Sequence, residues 1–211
     1  MARTQAADYE ARRAGIVEKA ARLFARQGFA RASVSDLARM CRTSKSLIYH
    51  YYPSKEDILF DVMHSHVAAL LDAARIAVAK PGSPADILRD LTLEFMRLYA
   101  GAAARQKVLL NELENLPKER RAAIVAIQRR LVDIVRDVLV ALRPGLAGRP
   151  DLERPAAMLY FGMINWTHTW MDASGAVSPS AIAEFAAEIF IMGFGRAGFP
   201  RAVHADERSS R

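Results

Sequence analysis

The chain has 211 residues, 52% hydrophobic and 25% charged, an ordinary soluble balance with room for one large domain or two small ones. This composition excludes collagen-like, disordered and disulfide-framework chains, because the single cysteine, Cys41, has no internal partner. The net charge is +7, and residues 1–57 carry 11 basic against 6 acidic side chains, so most of the excess lies in about a quarter of the chain and points to a polyanionic partner there.

The opening residues MARTQAADYEARR lack the apolar segment of an export signal. The longest uncharged apolar stretch, 155–171, is interrupted by Asn165, Thr167, His168 and Thr169, so a cytoplasmic protein without a membrane span is expected. Arg3, Arg12 and Arg13 suit a flexible basic arm as well as a merely solvated terminus. Ile16, Ala20, Leu23 and Phe24 then recur at helical spacing until Gly28. Ser33-Val-Ser-Asp36 reads as a capping box opening a short helix to Cys41. After the break at Arg42-Thr43-Ser44, a second short helix capped by Ser44 runs to Tyr52 and is closed by Pro53. Ser54-Lys-Glu-Asp57 is a further capping box and starts a long helix to about residue 80. Helical patterns follow near 85–103, 105–115, 117–142, 153–171 and 179–197, and no segment alternates with strand period. The expected fold is all-α: a three-helix N-terminal unit over residues 1–57, a helical bundle over 58–198, and a polar, mobile tail over 199–211.

Two short capped helices behind one supporting helix make a helix-turn-helix unit. Ala38 is small where the helices must cross, and Leu37, Ile48 and Tyr52 can share a core with Leu23 and Phe24. The same spacing also describes an ordinary helical corner. The outward set Lys45, Ser46, Leu47, Tyr49, His50 and Tyr51, with Lys55 beside it, favours a surface made for phosphates and base edges, because a packing corner has no use for it.

The run SDLARMCRTSKSLIYHYYPSKEDIL (residues 35–59), with ARLFARQGF (residues 21–29) before it, resembles the signature of TetR-type bacterial transcriptional regulators. The resemblance implies a homodimer with one recognition helix per major groove of a pseudo-palindromic operator in double-stranded DNA. By position, Lys45, Ser46 and Leu47 would lie deepest in the groove behind the Ser44 cap. Tyr49, His50, Tyr51 and Lys55 would contact mainly phosphates, and Ser33 would cap the second helix against the backbone. Arg42 stands where the family often has Gly, which predicts a left-handed residue in the turn, and Ser46 replaces another frequent Gly.

The stretch 155–171 is apolar nearly all round, and the last helix carries Ile182, Phe185, Ala186, Ile189 and Phe190. Such helices need covering on both sides, so these two are expected to form a dimer interface as a four-helix arrangement, with a thick monomeric core as the alternative. The segment 160–195 resembles TetR-type regulators of lipid, steroid or aromatic-acid degradation, whose effectors are often acyl-CoA thioesters. That resemblance implies a repressor released by a small hydrophobic effector. Tyr99, Leu109, Leu113, Phe161, Asn165 and Trp166 are the candidates to line its pocket, and Arg105, Lys107, Arg120 or Arg121 to hold phosphates. A regulator of drug efflux or another pathway, with a non-CoA hydrophobic ligand, is the alternative. No cofactor or metal site is expected: His64 and His66 fall on different helix faces, and no catalytic motif of the G-x-S-x-G, H-E-x-x-H or Walker type occurs, so an enzyme is not expected.

Overall fold

In the computed structural model the described residues are 2–171, 175 and 177–196, with side chains described between residues 7 and 194. All secondary structure among them is helical. α1 (Ala2–Gln27), α2 (Val34–Cys41) and α3 (Lys45–Tyr51) form the N-terminal unit, and α4 (Lys55–Ala79) leads out of it. α5 (Pro84–Gly101), α6 (Ala103–Asn111), α7 (Lys118–Leu142), α8 (Pro150–Trp166) and α9 (Pro179–Arg196) complete the bundle.

Local chemistry sets these boundaries. Gly28 stops α1 with φ +82°, and its N–H bonds the Phe24 carbonyl at 2.8 Å. Ser33 Oγ accepts from the Asp36 N–H at 3.1 Å while the Asp36 carboxylate reaches back to the Ser33 N–H, a complete capping box. Ser44 Oγ accepts from the Leu47 N–H at 3.1 Å, and Tyr52 is extended ahead of Pro53, which ends α3. Ser83 and Asp86 form a second complete box, with Pro84 in the first turn of α5.

Three expectations are corrected. The basic arm is helix: α1 begins at Ala2, Arg12 pairs with Asp8 one turn away, and Arg13 turns inward to Asp61. The box at Ser54 is only half made. Ser54 Oγ accepts from the Asp57 N–H, but the Asp57 carboxylate returns to the Ser54 hydroxyl and to Arg120 of α7 rather than to the Ser54 N–H. α8 starts at Pro150, a good first-turn residue, and ends at Trp166 instead of continuing to 171. There Thr167 and Thr169 hydroxyls donate to the Ile164 and Trp166 carbonyls, and His168 Nδ1 donates to the Asn165 carbonyl, so side chains compete with the helical ladder and a 3-10 turn follows. The tail expected at 199–211 lies outside the described residues.

One continuous core runs from Ile16 of α1 to Ala183 of α9. α4 is its axis, packed against α1, α5, α6 and α7, and the 57/58 boundary expected between domains falls in its first turn. It is long and apolar enough to cross a membrane, yet Ile58, Leu59, Val62, Met63 and Val67 are fully enclosed by neighbouring helices, as in a core helix. α9 lies chiefly along α5, where Arg89 bonds Glu188 at 2.6 Å.

Candidate nucleic-acid interface and a neighbouring cavity

α3 buries Ile48 and presents Lys45, Ser46, Tyr49 and His50 to solvent, with Leu47 and Tyr51 half-buried beside them. Lys45 Nζ lies 5.7 Å from the centre of the Tyr49 ring, and His50 meets Tyr51 edge-on at 5.3 Å. Tyr51 in turn packs on Tyr9 of α1 at 4.7 Å, so the first helix extends the same surface. Ser44 heads α3 and Ser33 heads α2, both exposed, each with its hydroxyl engaged in its cap. The α2 C-cap is Arg42, at φ 54° and ψ 45°, the only non-glycine residue with positive φ among the described residues.

A locked base lies behind this face. Tyr52 is buried, donates its hydroxyl to Asp61 of α4 at 2.5 Å and accepts from Arg13 Nε of α1 at 3.2 Å, while Arg13 also pairs with Asp61 at 3.0 Å. Burial, reinforced by the Asp61 carboxylate, pushes the Tyr52 phenol far above its ordinary range, so it stays protonated as the donor. Lys55 bonds the Phe29 and Ala32 carbonyls at 2.9 and 3.0 Å, with its ammonium 4.1 Å from the Phe29 ring centre. Two of its three donors therefore hold the α1–α2 connection against α4, and one is left.

A cavity of about 420 Å³ opens between α4, α5, α6, α7 and α8. Of the residues singled out from the sequence, Tyr99, Leu109, Phe161 and Asn165 line it together; Leu113 and Trp166 do not, Trp166 being 65% exposed on the outer side of α8. At its inner end Tyr99 donates to Asn165 Oδ1 at 2.8 Å, Gln106 Nε2 donates to the same oxygen at 3.2 Å, and His66 Nε2 donates to Gln106 Oε1 at 2.8 Å. Burial drives the Tyr99 phenol far up and the His66 imidazole down, so both are neutral within the network. Arg129 and Arg154 also line the cavity, both exposed, and no carboxylate does. Three of the cations proposed for phosphates are already engaged: Arg105 with Glu18 at 3.2 Å, Arg120 with Asp57, and Arg121 with Glu114. Gln106 had a signal in the sequence, a polar residue one helical turn from Leu109 and Leu110, whereas Arg129 and Arg154 look like any charged helix face. No group of His, Cys, Asp and Glu suited to a metal occurs among the described residues.

Residues 16–62 match the family model described as "Bacterial regulatory proteins, tetR family", and residues 81–194 match "Tetracyclin repressor-like, C-terminal domain". A TetR-family transcriptional regulator from Bordetella parapertussis is 41% identical, with a TM-score of 0.83 over 89% of this chain and 98% of that one. AibR, solved in complex with isovaleryl coenzyme A and operator DNA, is 26% identical with a TM-score of 0.74, over 84% of this chain and 97% of that one. The HTH-type transcriptional regulator HbdR of Aromatoleum sp. is 23% identical over 180 residues, 85% of this chain and 77% of that protein.

Proposed function

The chain belongs to the TetR family of transcriptional regulators, a non-enzymatic family that binds operator DNA and small effectors, and on that premise we propose that it works as a homodimeric repressor released from its operator by a molecule seated in the cavity. The observation that carries the DNA half is the exposed face of α3, held from behind by buried Ile48 and by the Arg13–Tyr52–Asp61 lock. Lys45, Ser46 and Leu47 read base edges in the major groove, while Tyr49, His50, Tyr51 and the remaining donor of Lys55 hold phosphates. Two such helices spaced by about 34–36 Å match one turn of DNA. The second subunit docks on the α8–α9 face, where Leu159, Phe185, Ile189 and Met192 are exposed. The protein acts in the cytoplasm, where its operator is.

An acyl-CoA thioester is the effector we favour, which places the regulated genes in lipid, steroid or aromatic-acid degradation. An apolar cavity of about 420 Å³ supports this, as does the likeness to AibR, itself solved with isovaleryl coenzyme A. Bound effector shifts the dimer to a conformer with the wrong helix separation, by no more than its differential affinity for the two conformers. The test is fluorescence anisotropy on the operator. Tyr49→Phe is expected to weaken binding across all sequences, and Lys45→Ala to change which sequence is preferred, by about 1–3 kcal/mol at the contacted position. Equal weakening on operator and random DNA for Lys45→Ala removes it from base reading, and equal affinity of the wild type for both overturns the repressor reading.

A further inference from the structure

The inner end of the cavity has a polarity. Asn165 Oδ1 is taken by two donors, Tyr99 Oη and Gln106 Nε2, and the Gln106 oxygen is taken by His66 Nε2. Both amide oxygens in that chain therefore already have donors. The Asn165 amide N–H groups meet no acceptor among the described residues, and Asn165 lines the cavity. That amide group lines the open cavity, where it is available to donate to a ligand oxygen. At the outer end the charges agree with this polarity. Arg129 and Arg154 carry no ion pair with any described residue, in a protein whose other exposed arginines are often paired, and no acidic side chain lines the cavity to balance them.

We infer that the cavity is built for an anionic acyl compound: an apolar body with a carbonyl-type oxygen held by Asn165 Nδ2 and negative charge held by Arg129 and Arg154. This rests on the cavity being the effector site. Amines and other cations are disfavoured by the two guanidiniums, and a group that only donates finds both amide oxygens at the inner end already bonded. Free carboxylates and acyl thioesters share the required chemistry, since each joins an acyl group to negative charge.

The experiment is calorimetric titration of the full chain with octanoate, octanoyl-CoA, octanol and octylamine, and with phenylacetate, phenylacetyl-CoA and phenethylamine. Operator release by each compound is read separately by anisotropy. The acid or the thioester in at least one series binds at least about tenfold more tightly than the alcohol or amine, as expected when a charge-assisted hydrogen bond is gained. Which of the two binds tells a free acid from a coenzyme A ester. Arg154→Ala and Arg129→Ala each weaken that ligand about tenfold. Asn165→Asp keeps an oxygen for Tyr99 and Gln106 but turns the cavity-facing donor into an acceptor, so it loses the anionic acyl compound and gains affinity for the amine. Thermal melting reports that the fold is kept. Equal or tighter binding of amine or alcohol overturns the inference, as does binding of neither acid nor thioester in both series. An acid or thioester that binds without releasing the operator leaves the inference standing and overturns the release reading instead, and an amine that releases it does the reverse.

Discussion

Arg42 is the clearest single-residue compromise in the molecule. Its φ of 54° places an exposed side chain in the left-handed region so that its N–H can close α2 on the Ala38 and Arg39 carbonyls. A glycine meets that geometry without the Cβ clash, less its own entropy in the unfolded chain, so Arg42→Gly is expected to raise stability by up to about 1 kcal/mol. Thermal melting would show it as a Tm higher by about 2–4 °C, and a lower Tm would mean the side chain has a stabilising role. Ser33 and Ser54 make the complementary point. Both head an S-x-x-D sequence, yet only Ser33 makes the full box, because burial and Arg120 have claimed the carboxylate that Ser54 would share. Burial raises the pKa of the Asp57 carboxyl, but the bonds from Ser54 and Arg120 outweigh it and hold it below the usual range. That partner sits on α7, far away in sequence, so no local pattern displays it.

Among the elements, α4 connects the two candidate sites. Its first turn carries Lys55 against the α1–α2 connection, its third residue Asp57 meets Arg120, Asp61 meets Tyr52 and Arg13, and His66 reaches Gln106 beside the cavity. These contacts tie α6, which lines the cavity, to the helix that positions α3. The adjoining Arg105 on α6 bonds Glu18 of α1, a second link between cavity and N-terminal unit. His66 also gives this element a pH signature. Burial lowers its pKa, so as pH falls below about 6.5 the unfolded chain takes up the proton first and the folded state loses stability until the folded pKa is passed. Above about pH 6.5 the group is neutral in both states and contributes no slope. Melting between about pH 7.5 and about pH 5.5 should therefore show a decline of up to about 1.4 kcal/mol per unit from this group, and His66→Gln should flatten it. An unchanged slope in that variant would assign the decline to other groups.

At the scale of the whole molecule the decisive feature is an exposed apolar face. α8 has three sides: Ala156, Ala157, Tyr160 and Ile164 enter the core, Phe161 and Asn165 line the cavity, and Leu159 and Trp166 stay 70% and 65% exposed. Phe185, Ile189 and Met192 continue the exposed surface on α9, while Ala183, Ala186 and Ala187 pack inward. Large apolar side chains left exposed on two helices that touch are what the proposed dimer rests on. Introducing charge with Leu159→Glu plus Phe185→Glu is expected to convert a species of twice 23.4 kDa into one of 23.4 kDa by sedimentation velocity. It should also lower operator affinity about a hundredfold or more, because the second recognition helix is no longer tethered to the first. A wild type that sediments as a monomer would discard the dimer.

The sequence by itself determined what depends on near neighbours. Caps at Ser33 and Ser44 and the stop at Gly28 follow from residues within a turn or two, the exposed face of α3 follows from its helical period, and the left-handed Arg42 follows from the resemblance to a family that often has Gly there. Tertiary structure alone decided what depends on distant pairings. It joined Gln106, His66, Tyr99 and Asn165 in one hydrogen-bond chain drawn from four helices, and set Arg129 and Arg154 on a cavity that no acidic side chain among the described residues lines. It also turned Trp166 outward and Leu113 away from the cavity. Helical spacing tells which residues share a side of one helix. On a helix apolar all round, such as α8, only the packing of its neighbours decides which side meets core, cavity or solvent.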